Sequence, residues 1–297
     1  MDTEDQVGLP ATLYHYTSFE AFLNIVKSKT IWVTESSYLN DSTEFGYGLE
    51  LAEEIYRGRS TNSEAATWFF ENADRTLHTY IFSLSRQGDL LSQWRAYCPD
   101  GGVSIGFSTK TLTRIAAQHN FALVRCIYDP ELQRAKIIRM LEEQLNEDEF
   151  YSVFPRLIAS LKHPSFSEEA EFRLVSRSRI VEQRIYKARW RATKTTPVEY
   201  TEVKLRSIES EDIRRLHRDR KLSEEDLADL TMFAFENEYE SGLEPFRDII
   251  VGPTARQELV QKAVSDFISE NTSYGRSERN PGGLIKVSSS KIPYRAK

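Results

Sequence analysis

The sequence predicts an α+β fold: a single domain with a mixed, mostly antiparallel split sheet around a cleft, plus a charged helical excursion. Three observations predict it. Short runs alternate apolar and polar residues with period two, as half-buried strands do. Between them lie capped stretches with apolar residues at helical spacing. The regular strand–helix–strand alternation of a doubly wound parallel sheet is absent. The domain is expected over residues 11–297, with a flexible tail over 1–10 and a charged insertion over 182–245.

Residues Leu13-Tyr14-His15-Tyr16-Thr17 read as an aromatic strand. Thr17-Ser18-Phe19-Glu20 has capping-box spacing, and Phe19, Phe22, Leu23 and Val26 form an apolar stripe behind it. The helix should stop near Ser28–Thr30, followed by a strand at Ile31–Thr34. Asn40 or Asp41 would cap the next helix, into which Glu44 falls. Tyr80–Ser85 is a strong strand with Ser83 and Ser85 on one face. A short helix follows, with Trp94 and Tyr97 three residues apart. Pro99-Asp100-Gly101-Gly102 turns the chain into the strand Val103–Phe107.

Leu123–Tyr128 should be a strand, and two polar helices are expected around 131–145 and 148–162. Glu169 and Glu171 then stand at i and i+2 at the start of an alternating strand, so both should face one side, with Arg173 next on that face. Two like charges side by side on a half-buried strand call for a cation or a ligand. A solvated Glu-Glu-Arg face and a catalytic carboxylate with a partner are both compatible with that spacing. From 182 to 222 the chain is rich in charge. Arg184, Lys187, Arg189, Arg191 and Lys194 form one basic run and Arg214–Arg220 another; Ser223 should cap a helix. Phe246–Val251 is a buried strand, Thr254–Gln257 a capping box with an amphipathic helix behind it, and Leu284–Val287 the last strand.

Composition narrows the function. A net charge of −6 argues against a protein built mainly to coat nucleic acid, while a local basic groove remains compatible with it. Cys98 and Cys126, the only cysteines, give no disulfide framework and no cysteine zinc site. There is no apolar run of about 18 residues, so no membrane span is expected. The acidic, polar start is unlike a signal peptide, and a cytoplasmic location is the expectation. The glycines do not have the spacing of a phosphate loop or a dinucleotide fingerprint.

Taken in order, Tyr14-His15-Tyr16-Thr17-Ser18, Asn40-Asp41-x-x-Glu44, Ser83-Leu84-Ser85, Trp94-x-x-Tyr97, Glu169-x-Glu171-Phe172-Arg173, Ile249–Pro253 and Ser290–Arg295 form a set. The set resembles the bacterial domain-of-unknown-function 2971 family, over residues 12–295. A more distant resemblance is to ADP-ribosyltransferases: a histidine on an early strand, a Ser-x-Ser strand and a late Glu-x-Glu strand. That resemblance implies an enzyme that cleaves NAD, as its substrate, at the nicotinamide–ribose bond and passes ADP-ribose to a protein or nucleic-acid acceptor. A toxin or anti-phage effector would fit. It implies that His15, with Tyr16 and Thr17, holds a ribose hydroxyl. Ser83, Ser85 and Arg173 would shape the NAD pocket, and Trp94 or Tyr97 would stack on nicotinamide. Glu171 would accept from the ribose 2′-hydroxyl and Glu169 would orient the incoming nucleophile. Two other classes stay open: a nucleic-acid-associated enzyme or binder, and a non-catalytic regulatory binding domain.

Overall fold

The computed structural model describes residues 8–39, 43–59, 64–76, 78–143, 145–177, 187–193, 196–205, 245–272 and 285–293. The fold is α+β. Among the described residues its strands pair mostly antiparallel, with one parallel pair between the last two strands of the chain. The chain folds into two compact units: 1–31, 84–118 and 204–297 form the first, 32–83 and 119–203 the second.

In the first unit, β1 (Thr12–Thr17) pairs with β4 (Val103–Ser108), β4 with β9 (Phe246–Val251), and β9 with β10 (Lys286–Ser289). Tyr14 also pairs with Ser85, at the end of β3 (Tyr80–Ser85). One face of this sheet carries Leu13, Val103, Ile105, Phe107, Ile249 and Val251, all fully buried. The helices α1 (Phe19–Ser28), α5 (Thr109–Gln118) and α8 (Gln257–Asn271) supply Phe22, Val26, Leu112, Ala116, Val264 and Ile268 to the unit's core. The other face carries Tyr14, Tyr16, Gly106, Asp248 and Ile250 and packs on α4 (Leu91–Tyr97) through Trp94.

Two caps differ from the expectation. Ser18 caps α1, accepting from Ala21 N, because Thr17 is still in β1 opposite Val103. The Thr254–Gln257 box does not close. The Gln257 side chain instead donates to the Ser290 carbonyl beyond β10, and α8 starts without a side-chain cap. At the C-terminus of α1, Lys29 takes the left-handed conformation (φ 51°), where the stop was expected.

The second unit builds its helical core from α2 (Thr43–Arg57), α3 (Glu64–Thr76), α6 (Pro130–Glu142) and α7 (Glu147–Ser160). Phe69, Phe150 and Phe154 meet at its centre. Asp129 caps α6 with Pro130 in its first turn, and Asn146 closes a capping box with Glu149 on α7. β5 (Phe121–Arg125) pairs with β6 (Glu171–Ser176), which borders β3; β2 (Thr30–Glu35) pairs with β3 on that strand's other side. Within the charged segment 182–245, the described residues form two strands, β7 (Arg189–Ala192) and β8 (Pro197–Lys204). Val198, Glu199, Tyr200, Thr201 and Val203 are all buried, so β8 is covered on both faces and the charged composition does not make this stretch a helical excursion. The Asn40–Asp41 cap, Arg184, Lys194, Arg214–Arg220 and the Ser223 cap lie outside the described residues. Among the described residues, no helix is long and apolar enough to cross a membrane.

Candidate functional site

Strand β6 starts at Glu171. Glu169 is not in the strand with it, as its spacing suggested. It ends a 3-10 turn (Pro164–Glu169), and Ala170 between them takes a left-handed conformation (φ 43°). Pro164 favours that turn's start, and the His163 side chain caps it by accepting from Ser165 N. The reversal at Ala170 brings both carboxylates to the same cation. Lys162 Nζ donates to Glu169 Oε2 and to Glu171 Oε2, each at 2.6 Å. Arg173, two residues along the same strand face, donates Nε to Glu171 Oε1 (2.9 Å) and a second guanidinium N–H to Oε2 (3.0 Å). Its remaining end donates to the Ala159 carbonyl.

Two carboxylates and two cations thus form a neutral cluster in which Lys162 and Arg173 are essentially inaccessible to solvent. Burial alone would raise the Glu171 carboxyl. The adjacent charges and hydrogen bonds of Arg173 and Lys162 outweigh it and bring the group down to about 2. The Glu169 side chain is the member that reaches water, at 17% exposure against 6% for Glu171. Around them, Tyr128 Oη accepts from Glu171 N, and desolvation pushes that phenol up. Gln133 fixes the main chain beside the lysine, donating to the carbonyls of Ile127 and Lys162 while its own carbonyl accepts from Tyr47 Oη. The Phe166 ring lies 5.2 Å from Lys162 Nζ.

Sequence reasoning found Glu169, Glu171 and Arg173 and missed Lys162, Gln133, Tyr128 and Tyr47. The one readable signal for Lys162 was a lone charge directly after the apolar end of α7, nine residues before Glu171. Ser83, also in the second unit, is half-buried on β3.

The remaining expected residues lie in the first unit, which assembles a different arrangement. Tyr16 Oη donates to the Gln87 carbonyl and accepts from Leu90 N; its ring meets Trp94 edge-on at 4.7 Å. Trp94 Nε1 donates to Asp89 Oδ1 (2.8 Å). Asp89 also takes Ser290 Oγ (2.5 Å) on that oxygen and Lys291 N (2.7 Å) on the other. The Trp94 and Ser290–Lys291 motifs, far apart in sequence, thus close on one aspartate. The buried Trp94 indole is committed to this knot, while Tyr97 in the same cluster is only half-buried. Cys98 Sγ donates to the Thr17 carbonyl, and burial pushes the thiol up to about 12. The Ser85 hydroxyl accepts from Gln87 N. His15 stands opposite Ile105 in register, on the sheet face away from Tyr14, Tyr16 and Trp94.

Residues 93–174 match the family described as Protein of unknown function (DUF2971). The matched stretch begins beside Trp94 and ends with Arg173 and Leu174, so it contains Lys162, Glu169, Glu171 and Arg173. No curated protein and no solved structure matches the chain.

Proposed function

We propose that this chain cleaves NAD at the nicotinamide–ribose bond and transfers ADP-ribose to a macromolecular acceptor, as ADP-ribosyltransferases do. The observation that carries this reading is the convergence of Glu169 and Glu171 on one lysine, with only Glu169 reaching water. When the C1′–N bond breaks, its electron pair leaves with nicotinamide and positive charge develops on the ribose. A fixed carboxylate next to that carbon stabilises the transition state more than the ground state. In this reading Glu169 is that carboxylate and takes the proton from the acceptor as the new bond to C1′ forms. Glu171 and Arg173 act behind it, holding Lys162 so that Glu169 stays ionised and aimed. In this reading the carboxylate at the developing charge, for which the resemblance implied Glu171, is its more exposed neighbour Glu169.

The test is nicotinamide release from NAD by the purified chain. Glu169→Gln should slow it by on the order of 100-fold while the protein melts near the wild-type temperature. A folded wild-type protein that releases no nicotinamide, with or without cell extract as acceptor, ends the reading.

One observation favours a second reading, a non-catalytic binding domain. Both Glu171 oxygens are already occupied by cationic donors, two from Arg173 and one from Lys162. The cluster would then serve the architecture of the unit, and Glu169→Gln would alter no reaction.

A further inference from the structure

We propose that the outward face of β2, β8 and β7 binds single-stranded nucleic acid, with bases against Trp32 and the phosphate chain along Arg191, Arg189 and Lys187. On β2, Ile31, Val33 and Glu35 are buried, so Trp32 and Thr34 point the other way. The registers Arg189↔Tyr200 and Arg191↔Val198 place both arginines on the face that carries Tyr200. Contacts confirm the shared side: the rings of Trp32 and Tyr200 lie 4.7 Å apart, Arg191 stands 5.8 Å over Trp32, and Arg191 donates to Thr34 Oγ1.

Two features of this face ask for a ligand. Trp32 keeps 39% of its surface in water although its neighbour Tyr200 is buried, so an indole that already carries a cation over its ring stays partly exposed. Arg191 is the second. Its guanidinium is half-buried, its Nε has no hydrogen-bond partner among the described residues, and no carboxylate there pairs with it. Arg189, by contrast, is paired with Glu202 at 3.0 Å. A cation that has lost part of its hydration without gaining an anion is unfavourable by itself, and burial accordingly lowers the Arg191 pKa. A phosphate would complete it. Lys187, Arg189 and Arg191 recur every second residue, roughly 6.6 Å apart along an extended chain, a spacing an extended sugar–phosphate backbone can follow. A partly exposed indole plus regularly spaced cations is the combination by which single strands are held without reading sequence. An acidic peptide would use the cations and leave the indole unused.

The inference is independent of NAD chemistry, and its assay contains none. A fluorescently labelled polyuridine oligonucleotide is titrated with the full chain and followed by anisotropy at several salt concentrations. The wild type should bind, more weakly as salt rises. Arg191→Gln should weaken binding about tenfold and flatten the log–log salt slope by about 0.7. Trp32→Leu, which keeps an apolar cover over Tyr200, should weaken it about tenfold through lost stacking. Trp190→Ala, 58% exposed on the opposite face beside Tyr38, should change nothing. Should Trp32→Leu fail to fold, Arg191→Gln decides alone, since it breaks no ion pair. No wild-type binding at low salt overturns the proposal. So does unchanged binding by Arg191→Gln, an equal loss in Trp190→Ala, or competition by polyglutamate as strong as by unlabelled polyuridine.

Discussion

At Glu171 two effects oppose each other, and the favourable one wins. Desolvation disfavours the carboxylate, and two cations within hydrogen-bonding distance favour it more. Removing its charge therefore does not remove a cost. Glu171→Gln takes from the buried Lys162 and Arg173 the carboxylate they share, and should destabilise the protein by about 3–5 kcal/mol in chemical denaturation. Glu169→Gln touches the more exposed partner and should cost less than Glu171→Gln. Equal losses for the two variants would mean that the cluster is not organised around Glu171. The same balance sets a pH window. The folded group ionises at about 2 against an ordinary 4.5, so its contribution is complete above pH 4.5 and is lost as pH falls towards 2. Acid titration of Glu171→Gln should show a shallower fall in stability between those limits than the wild type. Parallel curves would contradict the assignment.

Among the elements, β4 shows how a single missing side chain sets a neighbour's place. In one row across the first unit stand Tyr14, Gly106, Asp248 and Lys286. Tyr14 Oη reaches past Gly106 to donate to Asp248 Oδ2 (3.1 Å), and a Cβ on Gly106 would lie 1.8 Å from Asp248 Oδ1. Burial raises both groups, Tyr14 to about 12. Gly106→Ala should cost about 1–3 kcal/mol by overpacking. In the Asp248→Ala background the same change should cost clearly less, the close approach to Thr12 Cγ2 remaining, and a full penalty in both backgrounds would rule out the Asp248 clash as its cause. The elements themselves were largely legible in the sequence. Alternation located β3 and β6, aromatic or apolar runs bounded by turns located β1, β4 and β9, and helical spacing behind a cap motif located α1 and α8. What could not be read was pairing. The parallel β9–β10 contact and the Ser290–Asp89 closure depend on which segments meet in space, and periodicity carries no information on that. Lys162 was hidden for the same reason: a lone lysine after an apolar helix end acquires its meaning from Ala170, whose left-handed turn swings Glu169 round to it.

Across the molecule, neither unit is continuous in sequence. The first unit takes β1, β4, β9 and β10 from stretches separated by whole elements of the second. A chain shortened to residue 245 should therefore lose the first unit's sheet. Amides of Ser104–Phe107 should exchange hydrogen close to the unfolded rate, whereas retained protection there would mean that β1 and β4 form a stable pair without β9. The same spacing has a consequence during synthesis. All six residues of β4 are buried, and one of its edges waits for β9, which begins roughly 140 residues later. At about 5–20 residues per second the ribosome leaves that edge open for on the order of ten seconds, longer than most hairpins or helices need to form. Throughout that interval Val-Ser-Ile-Gly-Phe-Ser is an apolar strand with unpaired amides, available to the same strand of another nascent chain. Soluble yield in a cell should then depend less on final stability than on elongation rate and on chaperones that shield this one edge.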